Sequence, residues 1–156
     1  MVKVRVYEVP EGLYYSKDWA WVKIENGKVR VGVTDYGQKQ LTTITHVELS
    51  SPGEKTTQNE PYGTIESMKS VSELVAPLSG TIEEVNKEAL DNPKIINKEP
   101  CGEGWLLVVS PTKLEEELKN LMTFEQAVEW HKSLPPPPAI YGWYQSRFSE
   151  DFGQNT

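Results

Sequence analysis

Residues 51–85 read SPGEKTTQNEPYGTIESMKSVSELVAPLSGTIEEV, and this stretch decides the fold. Within it, residues 65–68 and 70–75 have the apolar spacing of two short strands. The strands bracket Lys69, and neither glycine nor proline occupies the turn between them. We therefore predict a β-hairpin with Lys69 at or beside its tip, where a primary amine is open to a modifying enzyme.

The same alternation continues outside this stretch, as far as residue 110. Apolar residues recur at every second position at Val2, Val4 and Val6, then Val22 and Ile24, then Val29, Val31 and Val33. Asn26-Gly27 is the dipeptide that tight type I′ hairpin turns favour, and Pro52-Gly53 and Ser79-Gly80 mark further bends. The pattern predicts a mainly β protein, built as an antiparallel sandwich or flattened barrel.

Helical signals are few and lie mostly near the end of the chain. Residues 34–41 begin with a threonine of the capping type and predict one short internal helix. Ser110-Pro111 places a cap residue before a proline, which predicts a helix from there through the leucines up to residue 121. Thr123 and Gln126 form a capping-box pair, which predicts a last helix through residue 131.

Four prolines at residues 135–138 end any helix and favour an extended linker. We therefore predict one domain over residues 1–134 and a C-terminal tail over residues 135–156. The tail contains Tyr141, Trp143, Tyr144, Phe148 and Phe152. Because free disordered tails are usually poor in aromatic residues, we expect these rings to dock on the domain or on a partner.

The composition narrows the class of protein further. A length of 156 residues with 37% hydrophobic residues suits one modest core. A net charge of −7 argues against a nucleic-acid partner and suits either a solvated surface or a basic patch on a partner protein. No apolar run is long enough to span a membrane, and the start lacks a signal-peptide core, so we expect a cytoplasmic location without a membrane partner.

Glycines flank Lys69 at two characteristic separations. Gly53 lies 16 residues before the lysine and Gly80 lies 11 residues after it. This spacing resembles the attachment region of the biotinyl/lipoyl domain superfamily. A glycine at such a position provides either a positive φ or room for a close backbone approach.

The residues next to Lys69 distinguish between the two prosthetic groups of that superfamily. Biotin carriers typically have methionine on both sides of the lysine, whereas here Met68 precedes it and Ser70 follows it. Glu66, three residues before the lysine, is a lipoyl-type feature. The resemblance therefore implies covalent lipoic acid rather than biotin.

Four stretches in order resemble the glycine cleavage system H protein family, over about residues 13 to 130. They are YYSKDWAWVKI from residue 14, VRVGVTDYGQKQL from 29, ESMKSVSELVAPLSGTIEEVN from 66 and INKEPCGEGWLLVVSP from 96. The resemblance implies a lipoyl-domain fold, a lipoyl attachment at Lys69, and supporting roles for Glu66, Glu73, Gly53 and Gly80. It also implies a carrier without catalytic residues of its own.

In that family, the lipoyl arm carries an aminomethyl group from glycine decarboxylase to an aminomethyltransferase. A dihydrolipoyl dehydrogenase then reoxidises the dithiol, and a lipoate-attaching enzyme first installs the arm. The resemblance implies these four enzymes as partners of this chain.

Three positions bear on how well this role fits. Where the family usually has His-Glu-Trp, this chain has Trp19-Ala20-Trp21, so the glutamate that helps hold the aminomethyl nitrogen is missing. Glu73 supplies the acidic residue expected four places after the lysine, and Gln40 aligns with a histidine that some members have. The departures and the tail also resemble H-like lipoate-binding proteins, which carry sulfur for a heterodisulfide-reductase-like complex, and this alternative stays open.

The remaining candidate residues predict no second site. Cys101 is expected to be a half-buried loop residue, and His46 and His131 have no metal-ligand spacing with it. We find no GxSxG element and no phosphate-binding glycine loop, so an enzyme is disfavoured. An unmodified interaction module of the same fold is a further alternative.

Overall fold

The computed structural model describes residues 2–137, in which strands predominate over helices. The strands are β1 (Val2–Val4), β2 (Tyr7–Val9), β3 (Tyr14–Tyr15), β4 (Ala20–Glu25), β5 (Lys28–Val33), β6 (Ile44–Leu49), β7 (Lys55–Thr56), β8 (Pro61–Ser67), β9 (Val71–Val75), β10 (Gly80–Val85) and β11 (Leu107–Pro111). The helices are α1 (Asp35–Leu41), α2 (Lys87–Asp91), α3 (Lys94–Lys98), α4 (Leu114–Leu118) and α5 (Phe124–His131). The five aromatic residues of the tail, for which docking was predicted, lie outside the described residues.

The strands form antiparallel sheets, as the alternation predicted. Their order is β3-β4-β5-β11-β10-β7 in the largest sheet, β6-β8-β9 in the second and β1-β2 in the third. Within residues 2–137 these sheets are separate rather than closed into one barrel, so the sandwich is the better of the two predicted descriptions. The predicted mainly β, antiparallel architecture with few helices is thus confirmed.

The two larger sheets share one hydrophobic core. Val31 of β5 and Ile82 of β10 come from one sheet, and Ile65 of β8 and Leu74 of β9 come from the other. Burying an aliphatic side chain of this size contributes about 1.5 to 3 kcal/mol. The inward side chains of the β8–β9 hairpin therefore fix it to the domain, while its outward side chains are half-buried or exposed and the tip at residues 68–70 is exposed.

Local sequence signals are confirmed where the chain turns or starts a helix. Asn26 and Gly27 connect β4 to β5 with φ values of 52° and 80°, the signs that a type I′ turn needs. Thr34 caps α1, because its side chain accepts a hydrogen bond from the Gly37 amide at 3.0 Å. The predicted capping box starts α5, with both of its hydrogen bonds present.

The predicted helix start at Ser110-Pro111 is wrong. Both residues end β11, where Ser110 pairs with Thr81 and Pro111 pairs with Gly80. The proline tolerates this position because the last residue of a strand needs no further ladder donor. The helix begins only at Leu114 and ends at Leu118, while α2 and α3 were not predicted because five-residue helices show too little periodicity.

The end of the predicted domain packs against its beginning. Leu134, which is 8% exposed, belongs to a cluster with Val6, Tyr7 and Tyr36. The Tyr7 hydroxyl donates a hydrogen bond of 2.6 Å to the carbonyl of Pro135, one residue beyond the predicted boundary. The linker prolines thus begin in contact with the N-terminal hairpin.

Cutting the chain after Leu134 should leave a domain that unfolds cooperatively, because the sheets and α5 end before this point. The cut removes the acceptor of the Tyr7 hydroxyl, so we expect it to lower the free energy of unfolding by about 1 kcal/mol. A chain cut after Pro137 keeps that acceptor and is the matched control. Loss of the cooperative urea transition in the shorter chain alone would contradict the predicted boundary.

Candidate functional site

Lys69 lies in the turn between β8 and β9, as predicted. Ser67 organises this turn: its amide donates to the Ser70 carbonyl at 2.8 Å, and its Oγ accepts from the amides of Lys69 at 3.3 Å and Ser70 at 3.2 Å. A serine oxygen that binds nearby backbone amides can replace glycine or proline in a tight turn. Sequence reasoning noted the missing glycine and proline but did not identify Ser67.

A second contact fixes the tip from the side. The Met68 amide donates to the Thr43 carbonyl at 3.1 Å, which ties the turn to the segment before β6. Lys69 is exposed, and within residues 2–137 it has no ion pair. The side chains of Met68 and Val71 beside it are 77% and 64% exposed. The tip therefore has a fixed backbone, a free amine and a small apolar surface.

The two spacing glycines are needed for different reasons. Gly53 has a φ of +92°, which side-chain-bearing residues rarely adopt, and its amide donates to the Ile82 carbonyl at 2.8 Å. Gly80 is buried where a methyl group would overlap the carbonyl oxygen of Ser110 on the neighbouring strand β11. The sequence allowed either reason for a glycine at these two positions. Positive φ applies at Gly53, and close backbone approach applies at Gly80.

Glu66 and Glu73 lie on the outer side of the three-stranded sheet. Glu66 pairs with His46 on one neighbouring strand and with Val71 on the other, and Glu73 pairs with Thr64. Paired residues, and residues two apart on a strand, share a face. Both glutamates are therefore on the Val71 face, with Glu66 half-buried and Glu73 exposed.

A cleft separates the hairpin strands from the start of β4. Its lining includes Ala20, Val33, Leu41, Tyr62, Glu73 and Leu74. Ala20 is only 4% exposed. The structure thus brings together Ala20 and Glu73, two of the three positions at which the arm was expected to be held. It does not bring Gln40 there, because the Gln40 amide donates to the Tyr7 hydroxyl at 3.3 Å.

Two further cleft residues, Asp18 and Trp19, were missed by sequence reasoning. Trp19 has a φ of +74°, a left-handed conformation that costs a bulky residue about 1 to 3 kcal/mol. Its carbonyl accepts from the Thr34 amide at 2.8 Å, and a Cβ added at Gly37 would lie 2.6 Å from the Trp19 Cβ. A glycine at position 37 lowers the helix propensity of α1, but it leaves the room that Trp19 needs to pack against this helix. Only this contact in the folded structure explains the glycine.

The remaining candidate residues, Cys101, His131 and His46, have environments that favour structural rather than chemical roles. Burial raises the pKa of Cys101 to about 12, so its thiol stays protonated at neutral pH and exchanges poorly with disulfides. Burial lowers the pKa of His131, whose Nδ1 donates to the Ala127 carbonyl at 2.6 Å. His46 is exposed, 3.2 Å from Glu48. No group of metal-ligating side chains occurs in the part of the chain that the structure describes.

Comparison with known proteins identifies the family of this chain. The model of the glycine cleavage H-protein family matches residues 13–134. The chain belongs to this family. A probable glycine cleavage system H protein from Pyrococcus abyssi is 47% identical over 135 residues, covering 86% of this chain and all of that protein. The glycine cleavage system H protein of Geobacillus thermodenitrificans is 49% identical over 117 residues, covering 75% of this chain and 91% of its own length.

A solved structure from the H-protein family supports the same fold. The crystal structure of a glycine cleavage system H protein from Mycobacterium marinum superposes with a TM-score of 0.73 at 36% identity, covering 81% of this chain and all of that one. These matches support a lipoyl carrier role in glycine cleavage. They give no support to the sulfur-carrier alternative.

Among residues 2–137, none of the helices is both long and apolar enough to cross a bilayer.

Proposed function

We propose that lipoic acid is joined through an amide bond to Nζ of Lys69, and that the arm carries an aminomethyl group between the enzymes of glycine cleavage. The observation that supports this most strongly is the geometry of the tip. An exposed, unpaired amine projects from a turn that Ser67 and Thr43 hold in place. Such a tip can enter the active site of a modifying enzyme without unfolding of the hairpin.

The prosthetic group would supply a dithiolane that opens and closes by thiol exchange. The chain's own residues display and shelter it. Ile65 and Leu74 anchor the hairpin in the core, so the attachment point moves with the domain. A narrow cleft lined by Ala20 and Glu73 begins on the same hairpin.

A role as a lipoyl carrier also implies which enzymes are the partners of this protein. We propose that a lipoate-attaching enzyme, glycine decarboxylase, an aminomethyltransferase and a dihydrolipoyl dehydrogenase act on Lys69 or its arm in the cytoplasm. The protein itself is proposed to catalyse none of these steps. All four enzymes would approach the tip, where Met68 and Val71 provide exposed apolar contact area.

A reconstituted loading assay tests this function. Lipoylated protein, glycine and glycine decarboxylase from a characterised H-protein system are incubated together, and release of carbon dioxide is measured. We expect release to depend on the lipoylated protein and to stop when the unmodified protein replaces it. Full lipoylation by intact mass without any stimulated release would contradict the glycine-cleavage role.

Replacing Ala20 with glutamate should slow the breakdown of the loaded arm. Position 20 lines the cleft, and the new carboxylate would face the ammonium group of the cargo. An ion pair in a partly buried cleft is worth on the order of 1 to 2 kcal/mol. Decay of the loaded wild-type and Ala20→Glu proteins is measured under identical conditions. Equal decay rates would show that position 20 does not face the arm.

A further inference from the structure

We propose that Met68 is an oxidation site at the tip of the hairpin, and that its sulfoxide slows the attachment of an acyl group to Lys69. The oxidant is hydrogen peroxide, which converts accessible thioethers to sulfoxides. The first part of the proposal concerns the chemistry of Met68 alone. The second part rests on the proposed function, because it requires an enzyme that acts on Lys69.

The methionines differ in their access to solvent. Among residues 2–137, methionine occurs at positions 68 and 122. Met68 is 77% exposed and belongs to none of the hydrophobic clusters of these residues. Met122 is half-buried, packs against the cluster that contains Tyr15 and exchanges two backbone hydrogen bonds with Tyr15. Because oxidation requires access to the sulfur, peroxide should react first at Met68.

The backbone of the turn keeps this sulfur at the surface. The Met68 amide donates to the Thr43 carbonyl, which fixes the residue before the lysine. The Ser67 Oγ accepts from the amides of Lys69 and Ser70, which fixes the lysine and the residue after it. One short and well-ordered turn therefore presents the thioether of Met68 and the amine of Lys69 together.

The oxidation adds one oxygen atom to the side chain. The Met68 sulfur attacks one oxygen of hydrogen peroxide, so that the O–O bond breaks and an S–O bond forms. The other oxygen leaves as hydroxide and takes the proton from the sulfur-bound oxygen, which gives water. Sulfur loses two electrons and the peroxide gains them. The product carries a polar, chiral sulfoxide in place of an apolar thioether.

The sulfoxide changes the surface that an attaching enzyme meets. Such an enzyme has to reach Nζ, so its own surface comes within one lysine side chain of the turn. There it meets Met68 and its exposed neighbour Val71. A thioether is apolar and adapts to a binding surface, whereas a sulfoxide gives up hydrogen bonds to water when it is covered. We therefore expect weaker binding of the enzyme, while the amine of Lys69 keeps its own reactivity.

The selectivity of oxidation is measured on protein without lipoate, so that no dithiol consumes the peroxide. Samples are taken over time in hydrogen peroxide, and peptide mass spectrometry quantifies the sulfoxide at each methionine. We expect Met68 to react at least fivefold faster than Met122. The Cys101 thiol should stay unoxidised over this period, because burial raises its pKa and keeps it protonated. The urea midpoint should stay the same, since Met68 supports no cluster.

The rate of lipoate attachment shows the consequence of the sulfoxide. Untreated protein and protein oxidised at Met68 are each incubated with lipoate, ATP and a lipoate-attaching enzyme. We expect kcat/KM for the oxidised protein to be at least threefold lower, mainly through a higher KM, because the reacting amine is unchanged. Treatment with two methionine sulfoxide reductases, one for each epimer, should restore the original value.

Three variants separate the effect of Met68 from other effects of peroxide. In Met68→Leu, which keeps Met1 and Met122, peroxide should leave kcat/KM at its value before treatment. In Met122→Leu, peroxide should still lower kcat/KM as it does in the wild-type protein. Met68→Gln places a polar amide at the tip without any oxidant, and its kcat/KM should be at least threefold lower than that of Met68→Leu.

Two results would overturn the inference. One is an equal rate of oxidation at Met68 and Met122, and the other is an unchanged kcat/KM for protein that carries the sulfoxide at Met68. Absence of lipoate from Lys69 in untreated protein would instead overturn the proposed function, and with it the second part of the inference.

Discussion

Replacing Lys69 with arginine should abolish lipoylation completely. The guanidinium group stays protonated at all physiological pH values, so it has no free amine to form the amide bond. Charge and side-chain length are largely kept, and the turn should persist because it is held by Ser67 rather than by the lysine side chain. The measurement is the intact mass after incubation with lipoate and a lipoate-attaching enzyme.

Lys55→Arg is the matched control for this variant. It changes an exposed lysine on β7 and should be lipoylated to the wild-type extent. Peptide mass spectrometry then locates the modification. Lipoate on any other lysine of the wild-type protein, or any lipoate gained by Lys69→Arg, would contradict the assignment.

Replacing Gly80 with alanine should be the most destabilising of the single substitutions considered. The added methyl group would overlap the Ser110 carbonyl oxygen, and it would also lie 2.6 Å from a methyl of Val109. Relieving this overlap requires β10 to move away from β11. The pairing of Gly80 with Thr56 on β7 opposes such a movement. Overpacking of this kind costs about 1 to 3 kcal/mol, and a backbone obstacle places the expected loss at the upper end.

The control for this substitution is Gly102→Ala. Its new methyl would lie 3.3 Å from the flexible end of the Glu99 side chain, which can move aside. Urea unfolding of both variants gives the comparison, and we expect a lower midpoint for Gly80→Ala only. Equal midpoints would mean that the spacing glycine after the lysine is not required by close strand packing.

Local signals allowed much of the fold to be predicted. The hairpin around Lys69, the turn at Asn26-Gly27 and the caps at Thr34 and Thr123 each depend on residues within a few positions of one another. The alternation of apolar and polar residues then predicted the antiparallel sheets. This signal is strong because the two larger sheets each bury one face in a shared apolar core. A resemblance over most of the chain supplied the family.

The errors and omissions have long-range causes. Ser110-Pro111 has a helix-start pattern, but pairing with Gly80 and Thr81, about 30 residues away, extends the strand instead. Asp18 could not be assigned to the cleft, since its position depends on the unusual backbone of Trp19 and on a hydrogen bond from Thr34. Only the fold brings such residues next to Glu73.

The position of β9 at the border of its sheet has a consequence for self-association. A border strand exposes unpaired backbone groups, to which another chain can add its own strand. An antiparallel pairing of two copies centred on residue 73 would place the two Glu73 carboxylates opposite each other, and like charges in that arrangement are destabilising. This repulsion discourages aggregation through the hairpins and leaves the tip of each carrier accessible to its enzymes.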